Sequence, residues 1–90
     1  MKVQKEETYL AKVRKGWRLT IYVPVRENLG LEMDDRLRVT IRIEGGKNER
    51  EETYLAKVQK GWRLTIYEPV RESLELEMGD RLRVIIRKDD

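Results

Sequence analysis

The sequence predicts a mainly β chain whose two halves close into one six-stranded β-barrel with two short helices and an internal pseudo-twofold axis. Three observations lead there. Residues 6–43 return as residues 51–88 at an offset of 45, with only seven of the 38 aligned positions changed. Within each copy, apolar and polar residues alternate in three short runs, the period of half-buried strands. The chain has 90 residues of which 39% are hydrophobic, enough for one compact core but not for two independent ones. Closing six strands into one barrel would also remove the unpaired edges that two open three-stranded sheets expose. The expected organisation is a single domain, residues 1–90: repeat one at 6–43, a linker at 44–50 and repeat two at 51–88. Gly45 and Gly46 mark a flexible turn within that linker. Because the duplication supplies both halves, the chain is expected to be a monomer.

Each copy reads as strand, strand, short helix, strand. Tyr9, Ala11 and Val13 alternate with Leu10, Lys12 and Arg14 as the first strand, and Lys15 with Gly16 signals a turn. Trp17, Leu19, Ile21 and Val23 then face inward from a second strand, with Arg18, Thr20 and Tyr22 outward. Pro24 suits the first turn of a helix, where its missing N–H costs nothing. Val25, Leu29 and Leu31 form the buried side of that helix, and Gly30 ends it. Leu37, Val39, Ile41 and Ile43 alternate with Arg36, Arg38, Thr40 and Arg42 in the third strand. The second copy places Tyr54, Trp62, Leu64, Ile66, Leu82, Val84 and Ile86 inward in the same way.

The seven differences test this assignment. They are Arg14/Gln59, Val23/Glu68, Asn28/Ser73, Gly30/Glu75, Asp34/Gly79, Thr40/Ile85 and Ile43/Lys88. A glutamate cannot sit unpaired in a dry core, so Val23 and Glu68 mark a strand end at the rim. Ile43/Lys88 says the same for the end of the third strand. Thr40/Ile85 fits a shallow or outward position open to either β-branched residue.

Composition excludes much chemistry. There is no Cys and no His, which removes disulfides, thiolate catalysis, cysteine metal sites and the commonest acid–base residue. No apolar run approaches the roughly 20 residues of a membrane span, and the N-terminal MKVQKEETYL is too charged for a signal peptide. A cytoplasmic protein with no membrane partner is expected. Asn and Gln number four among many Lys, Arg and Glu, as in proteins from hot environments or in designed chains.

The run RLTIYVPVRENLGLEMDDRLRV resembles the signature of AbrB-like transcription factors and of the wider cradle-loop barrels. Those share a ββαβ unit with an arginine-started strand, a short helix ending in Leu-Gly and a Gly-Asp turn. That turn is Met78-Gly79-Asp80-Arg81 in the second copy; in the first, Asp34 takes the glycine position, which Asp tolerates better than most residues. Two tandem units in one chain are more similar to the small archaeal RIFT-barrel proteins. The resemblance implies a RIFT-type closed barrel, with the double-psi β-barrel as the alternative. The latter needs a long crossover where this chain has a short Lys15-Gly16 turn, which favours a hairpin. The chain departs from the AbrB-like pattern in its second strand, where Tyr22 and Tyr67 hold the usual proline position.

No enzyme is expected. Ser73 is the sole serine and its counterpart is Asn28, so no nucleophile–base pair exists. Asp35 and Asp80 can be read as paired acids near the pseudo-axis or as braces for their own turns. No phosphate-binding loop, dinucleotide fingerprint or calcium loop occurs, so no cofactor and no metal are expected. Nucleic acid is the leading partner. In AbrB-like proteins basic residues around the loop joining the first two strands contact DNA. The matching positions here are Lys12, Arg14, Lys15 and Arg18 with Lys57, Lys60 and Arg63. Lys and Arg neutralise phosphates without precise base contacts. The competing reading is an interaction module or stand-alone scaffold with these cations as solvated surface. Trp17 and Trp62 read as core by phase and as base-stacking platforms by type. The rows Arg36, Arg38, Arg42 and Arg81, Arg83, Arg87 are a second basic candidate, with cross-strand glutamates as their expected partners.

Overall fold

A computed structural model describes residues 5–45 and 50–89. Residues 1–4, Asp90 and part of the expected linker, Gly46 and 47–49, lie outside the described residues. Each copy contributes two strands, a helix and a third strand. The first copy gives β1 (Glu7–Lys12), β2 (Arg18–Thr20), α1 (Val23–Leu29) and β3 (Arg36–Ile43). The second gives β4 (Glu52–Lys57), β5 (Arg63–Thr65), α2 (Glu68–Ser73) and β6 (Arg81–Lys88).

The strands do not close into a barrel. They form a four-stranded antiparallel sheet in the order β1-β6-β3-β4 and a separate two-stranded sheet of β2 and β5. This overturns both the six-stranded RIFT-type closure and the double-psi alternative. The physical cause lies in the turn of residues 15–17. Gly16 and Trp17 both take positive φ, 82° and 58°, so the extended chain breaks before β2 begins. Among the described residues, backbone pairing between the two arms of this hairpin is limited to the isolated Arg14–Arg18 bridge, and Gln59–Arg63 repeats this in the second copy. With three residues each, β2 and β5 are too short to carry a ladder round to the larger sheet. The expected second strand also ends early: Val23 opens α1 and stays 47% exposed. Val23 and Glu68 therefore sit at the rim, as the substitution required, but on helices.

Every ladder joining the large sheet runs between the copies. β1 pairs β6, β3 pairs β4, and β3 pairs β6 at the centre. Thr40 lies opposite Ile85 and Leu19 opposite Leu64, each facing its own counterpart 45 residues later. The pseudo-twofold axis therefore passes through both pairs, one in each sheet.

Between the sheets lies one apolar cluster drawn equally from both repeats. Leu19, Leu37, Val39 and Ile41 and their counterparts Leu64, Leu82, Val84 and Ile86 are all fully buried. Burying one such side chain stabilises by about 1.5–3 kcal/mol. Val25 and Leu29 of α1 join the cluster, while Pro24 sits in the helix's first turn and Gly30 (φ 60°) caps its end in the left-handed region. The expected inward residues of β1 and β3 are inward, with Tyr9 and Ile43 only partly covered.

Candidate nucleic-acid interface

The segment joining β1 to β2 is shaped by its tryptophan. A non-glycine residue at φ 58° costs about 1–2 kcal/mol, so Trp17 must be held there by its surroundings. Its indole packs half-buried against the core, and the Arg71 guanidinium lies 4.7 Å above the ring centroid. Its carbonyl accepts the Ile66 N–H at 2.8 Å. Trp62 mirrors this, with Arg26 at 4.5 Å and the Ile21 N–H at 2.8 Å. Each hairpin tip is thus clamped by the other copy. A guanidinium covers one face of each indole, so the tryptophans act as packing anchors.

The clamp brings the two hairpins together over the small sheet. Arg18 lies opposite Thr65, and Thr20 opposite Arg63, on either side of the Leu19–Leu64 pair. Arg14, Lys15, Arg18, Thr20 and Arg63 line one cleft of about 410 Å³. Among the described residues, none of its four cations forms an ion pair and no carboxylate lines it. The related cleft wall in the second copy has Gln59 where the first has Arg14, and the Gln59 amide oxygen accepts the Thr65 hydroxyl at 3.0 Å.

The remaining three predicted cations stand elsewhere. Lys60 is exposed at the second hairpin tip. Lys12 and Lys57 are the last residues of β1 and β4, opposite Arg81 and Arg36 on the outer side of the large sheet. Lys12, Arg14 and Arg81 line a second depression with Leu10, Ala11 and Tyr22, so Arg14 links the hairpin cleft to the sheet edge.

The arginine rows depart from expectation. Register sets Arg38 opposite Arg87 and Arg42 opposite Arg83, so cations face cations, with no cross-strand glutamate. Arg83 is paired from a strand end instead: its guanidinium holds both carboxylate oxygens of Glu44 at 2.9 and 3.1 Å. That hydrogen bonding holds the Glu44 carboxyl below its ordinary range, partly opposed by desolvation. Arg38 reaches Asp89 at 3.3 Å in the symmetry-related arrangement. Alternation alone shows these arginines pointing outward; it cannot show that they face one another, because that depends on inter-repeat register.

Asp35 and Asp80 do not meet as paired acids. Each accepts the backbone N–H three residues before it, from Glu32 and Glu77, at 2.8 Å. They brace the turns that carry left-handed Asp34 (φ 68°) and Gly79 (φ 85°). Among the described residues, no helix is long and apolar enough to cross a membrane.

No family model and no curated protein matches the chain. Its fold is similar to the solution structure of PHS018 from Pyrococcus horikoshii, with a TM-score of 0.82 at 20% sequence identity over 92% of each chain. At that identity the likeness is one of fold.

Proposed function

We propose that this chain binds nucleic acid through phosphate contacts made by its paired hairpins. The observation that carries the reading is the cleft in which Arg14, Lys15, Arg18 and Arg63, from both copies, converge without a carboxylate among the described residues. Thr20 adds a hydroxyl suited to a phosphate oxygen. The resemblance to AbrB-like transcription factors supports the same loops as the contact. A net charge of +3 understates the basic surface, because the charges are segregated. The helix-to-strand segments hold Glu27, Glu32, Asp34, Asp35 and Glu68, Glu72, Glu75, Glu77, Asp80 against only Arg26 and Arg71. The hairpins and third strands hold most of the cations.

A mobility-shift titration against duplex DNA at low and moderate salt tests the reading. With about five phosphates engaged, log K falls against log salt with a slope of about −4 to −5. Lys15→Glu with Lys60→Glu lowers affinity for all sequences alike and reduces the slope by about two. Melting temperature stays nearly constant, since exposed charges contribute little to stability. No shift with DNA or RNA at low salt would sink the proposal and leave the scaffold reading.

A further inference from the structure

We propose that the outer face of the four-stranded sheet is a second nucleic-acid-binding surface, so that one chain bridges two duplex segments. This rests on the nucleic-acid reading of the hairpins but concerns the opposite pole of the molecule. The pseudo-axis enters through the Leu19–Leu64 pair of the small sheet and leaves through the Thr40–Ile85 pair of the large one. The two sheets bury their inner faces against the same core, so their outer faces point away from each other.

The outer face of the large sheet is built almost without acids. Lys12 faces Arg81, Lys57 faces Arg36, Arg42 faces Arg83 and Arg38 faces Arg87. Like charges placed directly opposite across strands are destabilising. The sheet carries four such contacts, and only Arg38 and Arg83 are neutralised by a carboxylate among the described residues. A polyanion laid on the face would relieve every one of them. At the centre the Thr40 and Thr53 hydroxyls are 2.9 Å apart, in a shallow depression that they share with Arg38, Arg87, Ile85 and Glu6. Hydroxyls flanked by guanidiniums suit phosphate oxygens. The acidic segments run with α1 and α2, which pack beside the edge strands β1 and β4, so acids flank the sheet while Arg14 alone lines both the hairpin cleft and the Lys12–Arg81 depression among the described residues.

The occupant fitting this face is a phosphate backbone, because the cations are spread over the sheet and not gathered round one pocket. The test uses the full chain, a short immobilised duplex and a second, fluorescent duplex. Wild type is expected to capture the fluorescent duplex, and sedimentation is expected to show one chain with two duplexes. Arg42→Glu with Arg87→Glu keeps the first duplex and loses the second. Its melting temperature is held or raised, because each new carboxylate faces an arginine. Lys15→Glu with Lys60→Glu likewise reduces the complex to one duplex. Wild type holding a single duplex overturns bridging and leaves the hairpin site standing; wild type holding none overturns both readings. Two chains per bridged complex would assign bridging to self-association and overturn the proposal. So would a sheet-face variant that still captures the second duplex, or a wild-type sheet face that binds anionic phospholipid vesicles but no duplex.

Discussion

The two copies of the repeat differ at seven of 38 positions, yet their backbones follow one path. Trp17 and Trp62 both have φ of 58°, and Tyr22 and Tyr67 both −74°. Two of the differences fall at left-handed positions and are complementary. Gly30 (φ 60°) is matched by Glu75 (φ 53°), and Asp34 (φ 68°) by Gly79 (φ 85°). Each copy therefore has glycine at one of the two left-handed positions and an acidic residue at the other. The conformation persists where glycine is missing, so it is imposed by packing around the turn. Glycine lowers the local cost without deciding the shape.

The comparison is most severely tested on the axis itself. Leu19 and Leu64 are fully buried and face one another across β2 and β5. Leu19→Ala and Leu64→Ala should each cost about 2–5 kcal/mol, by loss of burial and creation of a cavity. If the halves are equivalent, the two costs agree within about 0.5 kcal/mol. The double variant should depart from additivity, because the side chains share one site. Urea unfolding measures all three. Clearly unequal single costs would show that the halves are packed differently despite their shared sequence.

Next in size are the left-handed positions. Glu75→Gly relieves a strain of about 1–2 kcal/mol and costs about 0.5–1 kcal/mol of backbone entropy, so a net gain of up to about 1.5 kcal/mol is expected. Gly30→Glu should lose a comparable amount. No heavy atom lies within 4 Å of where a Cβ on Gly30 would stand, so the loss comes from φ alone. Thermal melts of the reciprocal pair separate the explanations. If Glu75→Gly destabilises, its side chain has a role that its exposure does not reveal.

Much of this architecture is legible in the sequence because each element is announced locally. Alternation from Tyr9 to Val13 and from Leu37 to Ile41 defines inward faces, Pro24 starts a helix, and Gly30 ends it. The substitution of Asp34 for glycine marks a left-handed turn, and the turn is there. Closure was not legible, because it depends on where β2 starts and ends. A tryptophan at positive φ shortens that strand, and its reason for being there is an arginine from the other copy. Seven cations near the hairpins can be named from sequence, but four share the cleft while Lys12 and Lys57 turn to the sheet. Strand register decides that division, and register in this chain is set between copies.

The smallest difference between the copies is a single hydroxyl. Tyr9 donates its O–H to the Thr20 carbonyl at 3.1 Å, whereas the buried Tyr54 hydroxyl has no partner among the described residues. Both rings are otherwise alike, edge-on to Tyr22 and Tyr67 at 5.5 and 5.6 Å. Tyr9→Phe removes a hydrogen bond and should cost about 0.5–1.5 kcal/mol. Tyr54→Phe removes an unsatisfied buried group and should be neutral or stabilising by up to about 1 kcal/mol. Burial, with the neighbouring tyrosine second, pushes both phenols well above their ordinary value of 10.0. The folded state therefore holds these protons more tightly than the unfolded chain. The associated stability is fully present below about pH 10 and is lost as pH rises above it. Replacing both residues by Phe should flatten that alkaline loss, which urea midpoints across the alkaline range would measure. Equal costs for Tyr9→Phe and Tyr54→Phe at neutral pH would mean that the second hydroxyl is also satisfied, and the copies would then match at this site.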